Sequence, residues 1–176
     1  MKHLIILNFL FAAPLFSQDA PSFVNEATVN APVAALWKVW TSGEGYKALG
    51  VAQAEVDFRV GGIIRSHYKA TGVLGDEETI ENRILAYEPQ RMIAIRIERP
   101  PKSFPFQESS KKTWTVITFT DLGDGRTHLR VASMGFGRDE ESTSMRRFFE
   151  AGNAATLKTL QTHFESFSAT GEGRPK

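Results

Sequence analysis

Histidines are the first residues of this sequence to consider for acid–base chemistry or metal binding. There are four, at His3, His67, His128 and His163. No two of them have the spacing of metal ligands and no carboxylate pair accompanies them, so we predict no metal site. If Ile64, Ser66 and Tyr68 face a cleft, the period-two alternation of a strand turns His67 to the opposite side. His163 lies beside the apolar side of the last predicted helix and is a candidate for a cavity-facing residue.

Motifs for nucleophilic or nucleotide chemistry are absent from the sequence. It contains no cysteine, which excludes thiolate nucleophiles, Cys-ligated zinc and disulfides. It has no Gly-x-Ser-x-Gly elbow, phosphate-binding loop or dinucleotide fingerprint. The acidic runs at 76–78 and 139–141 are typical of a solvated loop and of a helix start. The sequence therefore predicts no catalytic residue and no cofactor, and it favours a non-enzymatic role without deciding the point.

The N-terminus has the three parts of an export signal. Residues 1–3 are a basic start, residues 4–16 are apolar, and small side chains follow at 17–20. A transmembrane helix needs about 20 apolar residues, so this shorter segment predicts a signal peptide at 1–17, cleaved after Ser17 or after Ala20. The alternative is a buried N-terminal helix. We therefore expect a periplasmic or secreted protein with no stable membrane span once the signal is removed.

The charge balance narrows the range of partners. Lys and Arg number 21, Asp and Glu number 20, and no block of like charge occurs. Nucleic acids and anionic membrane surfaces are therefore poor candidates. Hydrophobic residues make up 41% of the chain and include 13 phenylalanines, which is enough for a sizeable core without disulfides. Nothing in these patterns predicts an oligomeric state.

Hydrophobic periodicity divides residues 22–168 into the elements of one domain. Alternation and turn residues predict seven strands, at 22–29, 55–60, 63–70, 79–87, 92–98, 113–121 and 127–134. Two short helices are predicted at 33–40 and 44–49, an irregular segment at 99–112, and a long helix at 139–168. The order β-α-α-β-β-β-β-β-β-α predicts an α+β fold, an antiparallel sheet with its helices on one face. Residues 169–176 are predicted to be a disordered tail.

Two patterns predict which side chains point inward. In the strand at 55–60, alternation places Val56, Phe58 and Val60 on one side. In the long helix, steps of three and four residues define an apolar stripe, formed by Phe149, Gly152 or Asn153, Thr156, Leu160, Phe164 and Phe167. We therefore expect this helix to lie across the sheet with the stripe facing it.

Three stretches of the sequence carry a family pattern. They are NAPVAALWKVWT at 30–41, EVDFRVGG at 55–62, and TWTVITF at 113–119 followed by GRTHLRV at 125–131 and Gly-Phe at 135–136. In this order they resemble the Hsp90-activator-homology branch of the START-like (SRPBCC) superfamily. The resemblance covers nearly all of residues 22–167. It implies a helix-grip fold, a curved antiparallel sheet wrapped on the long C-terminal helix with two short N-terminal helices.

The resemblance also implies a class of partner. Members of the superfamily bind lipids, sterols, polyketides or other apolar molecules, some are cyclases, and a few assist the chaperone Hsp90. A small apolar molecule or lipid is therefore the expected partner. The chain departs from the family pattern at two positions: Ser133 stands where a histidine is often found, and Leu49 stands where a tryptophan usually ends the second short helix.

A cleft between the sheet and the long helix follows from the resemblance. With the predicted alternation, its lining consists of Tyr68, Ile80, Asn82, Ile84, Ile95, Ile117, Phe119, Leu129, Val131 and Phe149, with His163 on the helix. Phe104 and Phe106, in a segment with three prolines, are predicted either to cover the open end as a lid or to pack statically on the domain. The alternative for the whole set is a solid core without a cleft.

The expected function is an exported binding protein for a small, largely apolar ligand held between the sheet and the C-terminal helix. One alternative is a cyclase- or hydrolase-type enzyme that uses His163, Tyr68 or Asn82 as polar groups in the same cleft. A second is a protein-interaction module, which export disfavours because Hsp90 is cytosolic. A polar dyad within hydrogen-bond reach favours the enzyme, and an apolar cavity favours binding.

Overall fold

A seven-stranded antiparallel sheet and one long helix dominate the computed structural model, which describes residues 23–169. The strands are β1 (Phe23–Val29), β2 (Gln53–Val56), β3 (Ile63–His67), β4 (Ile80–Glu88), β5 (Met92–Arg99), β6 (Trp114–Asp121) and β7 (Thr127–Met134). The helices are α1 (Val33–Thr41), α2 (Gly43–Tyr46), α3 (Gln107–Ser110) and α4 (Glu140–Ala169), with a 3-10 turn at Lys47–Leu49. The predicted signal peptide lies outside the described residues. So does the predicted tail, apart from Ala169, which ends α4.

The sheet has the strand order β1-β7-β6-β5-β4-β3-β2. From β2 to β7 each strand pairs with the next along the chain, whereas β1 pairs with β7 at the far edge. Helix α4 contacts β1 at one edge of the sheet and also contacts the 3-10 turn. This turn follows α2, which contacts β2 at the other edge. Helix α4 therefore reaches from one edge of the sheet towards the other. The α+β helix-grip fold and the order of the predicted elements are confirmed. The irregular segment at 99–112 contains one unpredicted helical turn, α3.

The predicted strand at 55–60 is the main error in the assignment of elements. It ends at Val56, where β2 stops pairing with β3. The backbone N–H of Arg59 donates to the carbonyl of Asp57 at 3.0 Å, and Gly61 adopts a φ of +80°, so the chain turns here instead of extending. Val60 is consequently 61% exposed and does not point inward. Alternation alone did not distinguish this turn from a strand.

The long helix begins where its acidic start predicted. Asp139 caps it, because its carboxylate accepts from the backbone N–H of Ser142 at 2.8 Å and from the Ser142 hydroxyl at 2.8 Å. The predicted stripe is buried or half-buried at Phe149, Asn153, Thr156, Leu160 and Phe164, whereas Gly152 is exposed. Met145 and Leu157, which were not predicted, are also buried. The side chain of Phe167 lies outside the description.

The hydrophobic core lies between the sheet, α1 and the second half of α4. Its fully buried members are Val29, Leu36, Ile64, Ile84, Ile93, Leu129 and Leu160. Trp40 of α1 packs edge-on against Phe119 of β6, with ring centroids 5.3 Å apart. Between Phe149 and Leu157, α4 turns only the smaller side chains of Asn153 and Thr156 towards the sheet, and the space that they leave contains the candidate site.

Candidate functional site

A cavity of about 210 Å³ lies between the sheet and α4. Strands β3 to β7 supply one wall and α4 supplies the opposite one, with contributions from α1, α2 and the 3-10 turn. Most of the lining side chains are apolar: Trp40, Leu49, Val51, Ile80, Ile95, Ile97, Trp114, Ile117, Val131, Phe136, Phe149 and Leu157. An apolar wall with a few polar groups is the usual composition of a small-molecule site.

Tyr46 and Asn82 form the first polar group of the cavity. Tyr46 ends α2 and is 8% exposed, and it shares the cavity wall with Asn82 of β4. Burial raises the pKa of the Tyr46 hydroxyl above its ordinary value, the neighbouring Tyr68 raises this pKa further, and the polar Asn82 side chain opposes both effects. Tyr46 therefore keeps its proton at neutral pH.

Two glycines set the position of α2 and hence of Tyr46. A Cβ on Gly43 would come within 2.5 Å of the carbonyl oxygen of Ala54 in β2. A Cβ on Gly45 would come within 2.3 Å of the carbonyl oxygen of Lys38 in α1. Because only glycine permits such close backbone approach, the Gly-Glu-Gly sequence lets this short helix pack directly on α1 and β2. Its last residue is thereby held against the cavity.

Thr115, Ser133 and Asn153 form a second polar group. The hydroxyls of Thr115 and Ser133 lie 3.4 Å apart across β6 and β7, and the Asn153 amide of α4 donates to the Ser133 hydroxyl at 3.4 Å. Both distances are long for such bonds, so the hydrogen bonds among the three side chains are weak. Asn82 lies two strands away from Thr115 and two residues further along, since Asn82 pairs with Ile97 and Thr115 with Ile95. At the usual strand spacing and rise the two are about 12 Å apart.

Arg96 is the one charged residue among those that line the cavity within the described chain. Its guanidinium donates to the Glu98 carboxylate at 3.1 Å. Arg83 binds the same carboxylate through two nitrogens, at 2.9 and 2.8 Å. Hydrogen bonds from Arg83 first and Arg96 second lower the pKa of Glu98 to about 2. The positive charge of Arg96 is thus compensated by Glu98, and the other polar groups of the cavity are neutral.

His67 does not line the cavity, in agreement with the alternation of its strand. It is nevertheless only 3% exposed, because the following loop folds over it. The Lys69 N–H donates to its Nδ1 at 2.9 Å, and a Cβ on Gly72 would come within 2.3 Å of its ring. Its Nε2 lies 3.6 Å from the Asp76 carboxylate. Strand β3 therefore ends at His67 instead of at residue 70. The ring of His67 is buried under the loop that follows.

Six of the eleven residues predicted to bind a ligand are brought together on the cavity wall: Tyr68, Ile80, Asn82, Ile95, Val131 and Phe149. They come from β4, β5, β7, α4 and the residue after β3. Their role as ligand-binding residues stays a prediction. Tyr68 lies at the opening, because its side chain is 66% exposed while it still lines the cavity.

Other residues predicted to face the cleft lie away from it. Ile84, Phe119 and Leu129 are buried in the core. They share a strand face with cavity residues, but they lie towards the end of the sheet that α1 covers, and their side chains fill that region. His163 packs edge-on against Phe164 at 5.2 Å. It lies almost one turn beyond Leu160, past the part of α4 that lines the cavity.

Phe104 and Phe106 pack outside the cavity, against one of its wall residues. The ring of Phe104 lies 5.3 Å from that of Phe106 and 5.8 Å from that of Phe149. The Lys102 ammonium pairs with the Glu77 carboxylate at 2.9 Å and ties this segment to the loop before β4. Phe104 therefore packs on Phe149, Phe106 packs on Phe104, and neither of the two lines the cavity. Their role as a lid stays a prediction.

Tyr46 is among the cavity residues that the sequence analysis missed, as are Trp114, Phe136 and Leu157. The predicted helix at 44–49 was too short for its periodicity to indicate a buried face. The signal that identifies it is the Gly-Glu-Gly-Tyr sequence at 43–46, since two glycines permit close packing and a buried tyrosine needs a hydrogen-bond partner. The two family departures, Leu49 and Ser133, also line the cavity.

Within residues 23–169, no group of at least three His, Cys, Asp or Glu side chains is arranged to hold a metal ion. In the same residues, no helix is long and apolar enough to cross a membrane.

The family described as Activator of Hsp90 ATPase homolog 1-like protein matches residues 30–165. The chain belongs to this family. Members of its fold are generally of a ligand-binding or chaperone-activator type. The matched region contains six of the seven strands, β2 to β7, and nearly all of α4. It therefore contains every residue of the cavity. No curated protein matches the chain significantly.

Solved structures of low sequence identity share the fold. A protein from Mesorhizobium loti is 19% identical with a TM-score of 0.60, over 80% of this chain and 93% of that one. The Aha1 dimer from Colwellia psychrerythraea is 14% identical with a TM-score of 0.62, over 81% and 95%. An HSP90 activator from Plasmodium falciparum is 16% identical with a TM-score of 0.52, over 68% and 76%.

Proposed function

We propose that this protein binds a small, largely apolar, uncharged ligand in the cavity between the sheet and α4. The observation that carries the proposal is the cavity itself, with its apolar wall and its two neutral polar groups. A charged ligand would lose its hydration there without gaining a free counter-charge, because Arg96 already pairs with Glu98. Membership of the family supports the proposal, since its fold is one that commonly encloses apolar ligands.

The size of the cavity limits the ligand. Pockets for drug-sized molecules have volumes of about 300–1,000 Å³, whereas an apolar cavity of about 150 Å³ accommodates benzene. At about 210 Å³, this cavity suits a single substituted ring or a short branched chain. A long lipid tail would need the opening at Tyr68 to admit part of it.

We further propose that the mature protein works outside the cytoplasm. The support is the basic and apolar N-terminal segment at 1–16 followed by small residues. A location in the periplasm or outside the cell would also separate the protein from cytosolic Hsp90. For this reason we do not extend the activity named for the Colwellia psychrerythraea and Plasmodium falciparum proteins to this chain.

An enzymatic function is the second candidate, and the Tyr46–Asn82 pair is the observation that favours it. A polar dyad in an apolar cavity is what a cyclase or hydrolase requires. The raised pKa of Tyr46 removes it as a general base at neutral pH, which leaves polarisation of a bound carbonyl as its remaining chemistry. Binding is therefore the better supported function.

The binding test uses cumene (isopropylbenzene), an apolar single-ring probe, and a variant that fills the cavity. Val131→Phe places a ring into the cavity from β7. The matched control is Val24→Phe, because Val24 is 37% exposed on β1 and does not line the cavity. At a probe concentration 100 times Kd, binding adds about 2.7 kcal/mol of stability, which raises Tm by about 5–10 °C in a domain of this size.

We expect cumene to raise the Tm of the wild type and of Val24→Phe but not that of Val131→Phe. No shift in the wild type, or equal shifts in all three proteins, would contradict binding in this cavity. Mass spectrometry of molecules that copurify with the mature protein would then identify the natural ligand. An enzyme would instead convert that ligand to a product on incubation.

A further inference from the structure

The Tyr46 hydroxyl belongs to a buried side chain of the cavity wall, which is 8% exposed. It is contributed by α2, which is packed against α1 and β2 through Gly43 and Gly45. Because this position is set by backbone contacts, the hydroxyl is held in place before any ligand arrives. A preorganised donor loses little conformational entropy on binding.

Asn82 is a polar neighbour of this hydroxyl on the cavity wall. The phenol retains its proton, since burial disfavours the charged form and raises its pKa. A phenol carries one donor hydrogen and a side-chain amide carries two, so a contact between Tyr46 and Asn82 commits at most one of the three. The pair therefore has donor hydrogens left for a ligand in the cavity.

The surroundings of the pair are apolar on the sheet side. Asn82 is paired with Ile64 of β3 and with Ile97 of β5, and Ile80 lies two residues away on the same strand face. A ligand atom that reaches Tyr46 therefore has hydrocarbon on its flanks. In such surroundings a lone acceptor oxygen is favoured, whereas a carboxylate would remain unpaired.

Building on the proposed binding function, we propose that Tyr46 and Asn82 form a recognition site for one uncharged acceptor oxygen on the ligand. The ligand class is a small ketone, aldehyde or ester with an otherwise apolar body. The Tyr46 O–H and the Asn82 amide N–H groups are the donors to the carbonyl oxygen. Ile80, Ile95 and Ile97 contact the apolar body.

The test compares two probes of nearly equal shape, acetophenone and cumene, which differ by a carbonyl oxygen in place of a methyl group. Tyr46→Phe removes only the hydroxyl. The matched control is Tyr87→Phe, because Tyr87 packs on Phe58 at 4.6 Å and does not line the cavity. Dissociation constants are measured from the dependence of Tm on probe concentration.

We expect Tyr46→Phe to weaken acetophenone binding about three- to tenfold, the effect of one neutral hydrogen bond. Cumene binding should change less than about twofold, and Tyr87→Phe should leave both constants unchanged. Equal weakening of both probes, or no weakening of acetophenone, would overturn the recognition site while leaving the proposed binding function intact. If the wild type binds neither probe, the binding function fails and this inference fails with it.

A second variant keeps the inference falsifiable if Tyr46→Phe does not fold. Asn82→Leu is nearly isosteric and removes the amide donors while it leaves the Tyr46 hydroxyl in place. We expect it to weaken acetophenone and to leave cumene unchanged or bound more tightly. A loss of affinity for cumene as large as that for acetophenone would mean that Asn82 shapes the cavity and does not serve recognition of the oxygen.

Discussion

Leu160 lies on the buried face of α4 and tests the rotational phase of this helix. Its side chain is fully buried in the core cluster that also contains Leu157 and Trp40. Leu160→Ala removes the branched end of the side chain and leaves a cavity that the neighbours fill only in part. We expect the free energy of unfolding to fall by about 2–5 kcal/mol. A loss in the middle of this range lowers Tm by about 10 °C, at about 2–4 °C per kcal/mol.

The matched control is Leu122→Ala, in the turn between β6 and β7. The chemical change is the same, but Leu122 is 43% exposed, so we expect a loss below about 0.5 kcal/mol. Urea titrations of both variants and the wild type give the two differences, and equal m-values confirm that the unfolded states are comparable. A loss below about 0.5 kcal/mol for Leu160→Ala, or equal losses in both variants, would show that Leu160 faces water and that the phase of α4 is wrong.

Three further predictions concern the surface, the segment before β6 and the N-terminus. Glu98→Gln should lower the free energy of unfolding at neutral pH by only about 1 kcal/mol, because solvent screens the pairs of Glu98 with Arg83 and Arg96. The lowered pKa of Glu98 means that this contribution is present above about pH 4.5 and is lost as the pH falls towards 2. Acid titrations in which the variant and the wild type stay parallel would contradict it. Phe104→Ser with Phe106→Ser should weaken cumene binding more than it lowers Tm if the pair is a lid; unchanged affinity with reduced stability makes them packing residues. Intact mass of the periplasmic protein should lack about 17 to 20 N-terminal residues, and full-length chain recovered from the cytosol would refute export.

The fold could be predicted from the sequence because its elements carry independent signals that agree. The hairpin between β6 and β7 follows from alternation and the Gly-Asp-Gly turn at 123–125, and the long helix follows from its stripe and from its acidic start. The turn after β2 was missed for a physical reason. Asp57 to Val60 alternate like a strand, but the turn requires the positive φ of Gly61, and period-two alternation carries no information about that angle.

The candidate site was less predictable, because alternation gives the face of a strand but not the position along it. Ile84 and Asn82 share one face of β4, yet only Asn82 lines the cavity, since α1 covers the sheet beyond it. Which end of a face is covered depends on contacts between elements distant in the sequence. Tyr46 illustrates the same limit, because its burial results from the packing of α2 on two other elements.

The cavity itself has a cause in the sequence that becomes clear only when the two walls are compared. Along α4, the residues that line the cavity between Phe149 and Leu157 are Asn153 and Thr156, both smaller than the side chains that flank them. On the facing sheet, Thr115 and Ser133 are also small, and they lie opposite Asn153. Where small residues face small residues, the backbones cannot approach closely enough to fill the gap, because Phe149 on one side and Leu157 with Leu160 on the other hold the helix away from the sheet. Replacing Thr156 by leucine should therefore raise the stability and reduce cumene binding together, as expected for a cavity whose emptiness costs stability and serves binding. Increased stability with unchanged cumene affinity would show that the ligand lies elsewhere.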